Sequence, residues 1–438
     1  MHVTPLPAWR EAAEIAGDCY YDHTVERTPA AEPLSSVQKA DVVVIGAGVA
    51  GLNCALDLAL LGFHTIVLEA TRIGSGASGR NGGQVLPGFS CGLEVIGDQL
   101  GDAAAREAWA LSVEGMSIVR ERALSARDGC DYRKGWITFA AKPGHVLGLR
   151  DWHGELRNSL GYGQNVEFVE GRDVARFSTG TGYHAALVDH NAGHLNPLKM
   201  MLALARQCAV QGVRIYEHSK VESVEHGETC RVVTAGGEIS SHYVVVAANV
   251  FSDSLGILPA RRVMSVGNTI IATEPVSAKI ATPMLRDGYC ACDTNFMLDY
   301  FRLTPDSRML WGGGSTYLKH DSGDRVAMLR RKMVEHFPEL KRARIDFAWG
   351  GLIDVTASRA PDFGRIDGNL YYLRGFSGHG LNVGAIAGRI TAEAIHGEPR
   401  RFDLFARLKH RAFPPGAWLR RAVLSAGTWY YRARDVLS

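Results

Sequence analysis

The stretch from Asp41 to Glu69 leaves this chain few folds to choose from. Asp41-Val-Val-Val-Ile45 is a β-branched run of strand length that leads directly into Gly46-Ala-Gly48-Val-Ala-Gly51. Leu52, Ala55, Leu56, Ala59 and Leu60 then recur at helical spacing, and Thr65-Ile-Val-Leu68 is a second apolar run closed by Glu69. Strand, glycine turn, helix, strand, acid is the order of a dinucleotide-binding unit. Gly46 permits the tight turn, Gly48 admits a pyrophosphate close to the backbone, and Gly51 lets the helix pack on the strand. The helix N-terminus offers amides and a favourable dipole to the phosphates. Glu69 is placed to accept hydrogen bonds from a ribose diol. In a chain with 49 glycines a bare GxGxxG can arise by chance, so the flanking strands and helix carry the inference.

Two further glycine-rich stretches narrow the ligand. Gly74 to Val85 holds too much Gly, Ser and Asn for a helix interior. What it offers is a high density of backbone amides, with Ser78, Arg80, Asn81 and Gln84 as side-chain donors. That suits a cofactor larger than a nicotinamide dinucleotide, one with an extended polar ring such as a flavin; a flexible surface loop is the plain alternative. Near the other end of the chain, the apolar run Leu370 to Arg374 meets Gly375-Phe-Ser-Gly378-His379-Gly380-Leu-Asn-Val-Gly384 and then a helix over Ala385 to Ile395. One ligand touched by both ends of the chain is the economical explanation.

Between these landmarks the pattern alternates. Residues 1–39 read as an irregular arm over the surface or a loose tail. Ala103 to Arg127 is helical in period, and Tyr132 to Phe139 alternates like a strand. Val188 to Pro197 reads as a polar turn, with Pro197 opening a helix to Gln211 and a strand following at Val213 to Tyr216. Val221 to Val224 and Cys230 to Thr234 flank a polar hairpin. Tyr243-Val-Val-Val-Ala-Ala248 reads as a central strand, with Ala248 at the carboxyl edge where ligands collect. Strands at 264–273, Met297 to Arg302 and Met309 to Gly312, a helix at 324–336 and a strand at Phe347 to Gly351 complete the region. From Arg400 onward nine Arg/Lys stand against two Asp, interleaved with aromatics. Packing on the protein's own surface, or a membrane or RNA contact, would each suit such a tail.

Composition sets outer limits. Charged residues make up 21% of the chain and hydrophobic ones 46%, as in ordinary globular proteins, and a net charge of +2 argues against a nucleic-acid binder. The eight cysteines contain no CxxC pair, and Cys290-Ala-Cys292 fits neither a zinc knuckle nor a redox motif, so reduced thiols and no metal site are expected. Residues 1–39 lack an apolar signal segment, and no apolar run reaches the ~20 residues of a membrane span. A cytoplasmic protein is expected; the sequence leaves its oligomeric state open.

The glycine motif with Glu69, the loop Gly76-Ala-Ser-Gly-Arg-Asn-Gly-Gly-Gln84, Asp299-Tyr-Phe-Arg-Leu303, Gly312-Gly-Gly314 and Gly375-Phe-Ser-Gly-His-Gly380 together resemble the FAD-dependent amine oxidases of the D-amino-acid oxidase superfamily, in particular its bacterial gamma-glutamylputrescine oxidase branch. The first motif is generic to flavoproteins; the loop and the last turn are more specific. The resemblance implies an α/β fold in which a Rossmann-like FAD-binding domain (40–95, 190–255 and 345–400) is interleaved with a substrate domain on a mixed or antiparallel sheet (96–189 and 256–344), between the arm and a basic segment at 401–438. It implies FAD, held non-covalently because no Cys matches an attachment site. It also implies oxidation of an amine by hydride transfer to flavin N5, giving an imine, then an aldehyde and ammonia, with molecular oxygen as acceptor and hydrogen peroxide as product. A cyclic imino acid or N-methyl amino acid such as pipecolate, proline or sarcosine is the alternative substrate.

By that resemblance Glu69, Ala70, Arg72 and Val221 stand on the adenine and ribose side, and Ala248 lies near the cofactor at the sheet edge. Ser78, Gly79, Arg80, Asn81, Gly82, Gly83 and Gln84 run beside the flavin ring. Gly378, His379, Gly380 and Leu381 present amides to its N1/C2 edge, with a packing role for the His379 side chain as the competing reading. Arg302 and Arg359 are candidates for the substrate carboxylate, or else structural ion pairs. Tyr300 and Trp349 would wall a tunnel for the butylamine chain, or else belong to the core. The lysine that activates oxygen in sarcosine-type relatives has no evident counterpart near Trp311, which weakens oxidase against dehydrogenase.

Overall fold

A computed structural model describes residues 17–27, 29–316 and 322–415. The rest of the arm and of the basic segment, 1–16 and 416–438, lie outside the described residues.

Two sheets organise the chain. The smaller, eight-stranded sheet runs Asp362–Ile366, Leu370–Arg374, Glu238–Val246, Val37–Ile45, Thr65–Leu68, Arg214–Tyr216, with the hairpin of Val221–Glu225 and Cys230–Thr234 attached to Glu238–Val246. Strands Leu370–Arg374, Glu238–Val246, Val37–Ile45, Thr65–Leu68 and Arg214–Tyr216 are parallel to their neighbours in this series. Cover on both faces explains why these strands are apolar throughout: Val42 and Val44 pack with the helices, Val43 with Val221, Val224 and Val232 of the attached hairpin, and all three are fully buried. The larger sheet has ten strands, mostly antiparallel, with Val263–Thr273 between Ile345–Thr356 and Met309–Thr316.

The helix Val49–Leu60 packs against the late helix Gly380–His396 at close range. A Cβ on Gly388 would stand 2.5 Å from the Cys54 amide nitrogen, and one on Gly384 2.6 Å from Val49 Cγ1. Small residues one helical turn apart thus let the two backbones meet, and that contact carries the second glycine turn to the first.

Three expectations change. Val188 to His194 is no turn but the end of a ten-residue strand, Ala185–His194, which receives partners from Arg133–Ala140, Val166–Glu170 and Gln84–Val85. Its polar side chains find partners that the sequence does not display, such as Tyr162 Oη on Asp189 at 2.8 Å. Sheet membership also cuts across the expected domains. Ile345–Thr356 and Gln84–Val85 belong to the larger sheet, while the helix Asp102–Leu124 packs into the nucleotide-side core beside Gly380–His396. Finally, the described part of the arm runs over the surface but is anchored, not loose: Gly17–Asp18 pairs with Ile345–Thr356, and Tyr21 is 0% exposed.

Candidate active site

The carboxyl edge of the small sheet gathers the first group of residues. The Gly46 turn lies against the end of Glu238–Val246, where a Cβ on Gly46 would fall 2.6 Å from the Ala247 carbonyl, so Ala248 sits beside the turn. A Cβ on Gly51 would fall 1.9 Å from the Gly46 carbonyl, which fixes the helix start under the turn. Glu69 Oε2 accepts the Ala47 amide at 2.9 Å, and Oε1 accepts the Thr71 amide at 2.9 Å, so the acid at the end of Thr65–Leu68 is joined to the glycine turn itself. Ala70 follows on the exposed rim. Val221 opens its strand two residues past Ser219, whose amide donates to the Glu69 carbonyl at 2.8 Å. Arg72 leans on buried Glu217 at 3.3 Å, and Glu217 also accepts the amides of Ile73 and Ala31 at 2.7 Å each. Sequence reasoning missed Glu217; a lone acid after a short strand carries no distinguishing pattern.

The loop from Ser78 to Gln84 crosses the mouth of this group and continues into the large sheet. Ser78 Oγ accepts the Val49 amide at 3.0 Å, so the loop touches the nucleotide helix at its first turn. Asn81 folds the loop on itself: Nδ2 donates to the carbonyls of Ala77 and Ser78, and Oδ1 accepts the Gly83 amide at 2.8 Å. Gly79 packs on Gly74, Arg80 Nε donates to the Gly350 carbonyl at 2.9 Å, and Gln84 Nε2 reaches the Ala291 carbonyl at 2.8 Å. Tyr300 lies flat between Gly82 and Gly312, where any Cβ would enter its ring, and donates its hydroxyl to Asn268 Oδ1 at 3.0 Å.

Arg302 departs from expectation. It is 3% exposed, and its donors go to main-chain and phenol oxygens: Nε to Gly82 O at 2.8 Å, Nη2 to Leu195 O at 3.2 Å and to Tyr21 Oη at 3.0 Å. Tyr21 Oη in turn donates to Asn81 O at 2.9 Å. Arg302 is neither half of an ion pair among the described residues nor free to meet a substrate carboxylate; it clamps the cofactor loop. Trp349 also departs. It is 1% exposed, edge-on to Tyr21, with Nε1 on the Arg80 carbonyl at 2.9 Å, so it buttresses the loop and walls no tunnel. Tyr21 is the member that sequence reasoning assigned to the arm, and its aromatic pair with Tyr20, ahead of the Pro/Ala/Ser-rich run of residues 28–36, was the available signal.

The turn Gly375 to Gly380 lies against the end of Ile345–Thr356, where Asp354 Oδ2 accepts the Gly375 amide. The helix Gly380–His396 begins here with no side-chain cap from His379, and a Cβ on Gly378 would meet nothing within 4 Å. Open space at a helix start with uncapped amides fits an electron-rich ring edge. Leu381 is buried behind it. His379 is partly buried, and desolvation pushes its imidazole down to about 4, so it stands neutral near pH 7. Arg359, in a left-handed turn, stacks its guanidinium 4.3 Å over the Phe296 ring and has no carboxylate partner among the described residues. Of the two candidate cations, it is the one whose charge stays available.

Strand parity decides on which face of the sheet Lys332 stands. Tyr300 and Gly312 face the cofactor loop, so Phe301, Trp311 and Gly313 face the other way. Lys332 holds Asp299 at 2.9 Å, and Asp299 abuts Gly313, so this lysine comes near Trp311 on the sheet face away from Gly82. No group of side chains able to hold a metal is present among the described residues.

A nucleotide turn, an amide-rich loop bridging to a second sheet and an open helix start at the far end define a flavin-dependent oxidoreductase. The chain belongs to the DAO family of FAD-dependent oxidoreductases, whose model matches residues 41–394. It is 38% identical to gamma-glutamylputrescine oxidoreductase of Escherichia coli over 95% of this chain and 98% of that one. Among solved structures it is similar to glycine oxidase from Geobacillus kaustophilus (TM-score 0.68, 20% identity, 82% of this chain and 95% of that one). L-Proline dehydrogenase from P. horikoshii superposes as well (TM-score 0.67, 21% identity, 84% and 98%). The cofactor is FAD, and the residues fit it: glycine at each close approach, uncapped amides at the second helix, and a buried clamp under the loop between.

Proposed function

We propose that the protein oxidises the primary amine of gamma-glutamylputrescine, with FAD held non-covalently between the Gly46 turn and the Gly375–Gly380 turn. FAD supplies the hydride acceptor. In this reading Gly46, Gly48 and Gly51 seat the pyrophosphate and Glu69 the ribose, while Ser78 to Gln84 and Gly378 to Leu381 flank the ring. The observation that carries the substrate is Arg359, a half-buried guanidinium with no acidic partner among the described residues, suited to a glutamyl carboxylate. Neutral His379 holds no charge against the ring edge, and Tyr300, fixed by two glycines, gives the substrate side a rigid apolar wall. The similarity to the Escherichia coli enzyme supports the same substrate.

The imine formed leaves to hydrolyse to an aldehyde and ammonia. Oxygen is the proposed acceptor, with another acceptor as the alternative because Lys332 stands behind the sheet, on the face away from Gly82. A cytoplasmic setting agrees with eight buried free thiols, and no helix among the described residues is long and apolar enough to cross a membrane. The test is anaerobic bleaching of bound flavin by a panel: gamma-glutamylputrescine, putrescine, proline, pipecolate and sarcosine. Fast bleaching by the first alone supports the reading, and bleaching by an imino or N-methyl amino acid alone replaces it with the sister activity.

A further inference from the structure

The second glycine turn is held in an unusual conformation by one buried acid. Gly375, Ser377 and Gly378 have φ of +76°, +52° and +103°, so three residues in four are left-handed and one of them is not glycine. Such a turn persists only where its surroundings over-determine it. The determinant is the end of Ile345–Thr356. Asp354 Oδ2 accepts the Gly375 amide at 2.6 Å, and the Asp354 carbonyl accepts the Ser377 amide at 3.0 Å. Ser377 Oγ closes the arrangement, accepting the Thr356 amide at 3.3 Å and donating to Gly375 O at 3.1 Å.

A carboxylate is a costly choice for this post. Asp354 is 3% exposed. Arg374, the nearest guanidinium to affect it, is committed to Asp362 at 2.9 Å and Asp253 at 2.8 Å. Burial pushes the carboxyl up to about 6, against the pull of the Gly375 and Phe376 amides and of Arg374. A neutral acceptor would hold the same amide without desolvating a charge. The turn above it opens on the space assigned to the ring edge, where negative charge appears when the flavin is reduced.

We propose that Asp354 is a positioning residue for the redox half of the FAD site: it fixes the Gly375–His379 amides toward the ring edge and sets its negative charge against the charge formed on reduction. The inference rests on placing the ring edge at this turn. Like charges repel, so the carboxylate holds the flavin midpoint potential below the value the turn alone would give.

The experiment compares Asp354→Asn and Asp354→Leu with the parent protein, reading FAD affinity by fluorescence titration of apoprotein, the visible spectrum of bound FAD and its midpoint potential. Asn keeps an oxygen for the Gly375 amide, so D354N is expected to bind FAD within roughly threefold of the parent while its potential rises and its flavin band shifts. D354L loses the acceptor and is expected to bind at least about tenfold more weakly, the effect of one lost buried hydrogen bond. Parent-like affinity and potential in both variants would overturn the proposal. So would equal loss of affinity in both with an unmoved potential, which is the mark of a role in folding alone. If D354L does not fold, the potential of D354N decides. Gly378→Val separates the two layers. If it too leaves FAD affinity and spectrum unchanged, the ring edge is not at this turn and both fall; if it alters them while the Asp354 variants do not, only the Asp354 proposal falls.

Discussion

Removing the Arg302 guanidinium tests the reassignment of that residue from substrate binding to loop clamping. Arg302→Met keeps the length and apolar stem of the side chain and removes its hydrogen-bond donors. The carbonyls of Gly82 and Leu195 then lose their partner, while the Tyr21 hydroxyl loses one donor and keeps its bond to Asn81 O. Each buried acceptor left unpaired costs about 1–3 kcal/mol, so the two carbonyls together give about 2–6 kcal/mol. Relief from burying a charge that has no acidic partner among the described residues offsets part of this, leaving about 2–4 kcal/mol. Because the clamp orders the Ser78–Gln84 loop, most of the loss falls on FAD binding, a weakening of roughly 30- to 1000-fold at 1.4 kcal/mol per decade. The assay is FAD titration of apoprotein, with KM for gamma-glutamylputrescine measured on enzyme saturated with FAD. The expected pair of results is a large rise in the FAD dissociation constant and an unchanged KM. An R302M protein that holds FAD as tightly as the parent but shows a tenfold higher KM would refute the clamp and restore Arg302 to the substrate. Arg302→Lys is expected to fall between, since one ammonium cannot span both carbonyls as the fork does.

Arg359→Gln is expected to raise KM for gamma-glutamylputrescine by roughly tenfold or more while leaving turnover of unmodified putrescine where it was, because only the former carries a carboxylate; equal effects on both amines would remove Arg359 from the substrate site. Gly51→Ala places a methyl 1.9 Å from the Gly46 carbonyl, and the expected product is a colourless protein that FAD titration cannot saturate; a yellow G51A protein would show that the helix start has room to shift. His194, 1% exposed with Nε2 on the Gly288 carbonyl, is pushed by burial down to about 3, so between pH 6.5 and 3 the unfolded chain takes up a proton that the folded one does not. Stability therefore rises with pH across that window, by an amount on the order of a few kcal/mol, and His194→Gln, which keeps the donor, should flatten the slope of denaturation midpoint against pH on its acid side. Acid precipitation should release all of the flavin into the supernatant, and yellow colour retained in the pellet would reveal a covalent bond.

What the sequence displayed and what it concealed divide along one physical line. Steric demands are local: a Cβ on Gly51 would fall 1.9 Å from a carbonyl, and Gly46, Gly375 and Gly378 hold a left-handed φ, so the glycines of the two turns could be read one residue at a time. The parallel strands were legible for a similar reason, since burial on both faces leaves Val42, Val43 and Val44 no polar neighbour to blur the pattern. Electrostatic roles are not local. Whether an arginine meets a substrate or a carbonyl depends on what the fold brings to it from elsewhere, and for Arg302 that was Gly82, Leu195 and Tyr21 from three separate segments. The same holds for Val188 to His194, whose polar letters read as a turn until Tyr162 supplied a partner for Asp189.

That division bears on where specificity is built. The cofactor half of the site is fixed by close backbone contacts, which allow little change in any one residue. On the function proposed above, the substrate half rests on Arg359, which stands in a left-handed turn over the Phe296 ring, in contrast to the three-segment anchorage of Arg302. Replacing Arg359 disturbs few other bonds, so a change of substrate class within this fold needs fewer compensating substitutions there than any change of cofactor would. A charge-reversed Arg359→Glu should accordingly fold and bind FAD like the parent while rejecting gamma-glutamylputrescine and gaining activity toward a free diamine, whose second ammonium the new carboxylate can meet. Loss of FAD binding in R359E would show that the substrate half is coupled to the cofactor half as rigidly as the clamp is, and would end the argument for an independently variable substrate side.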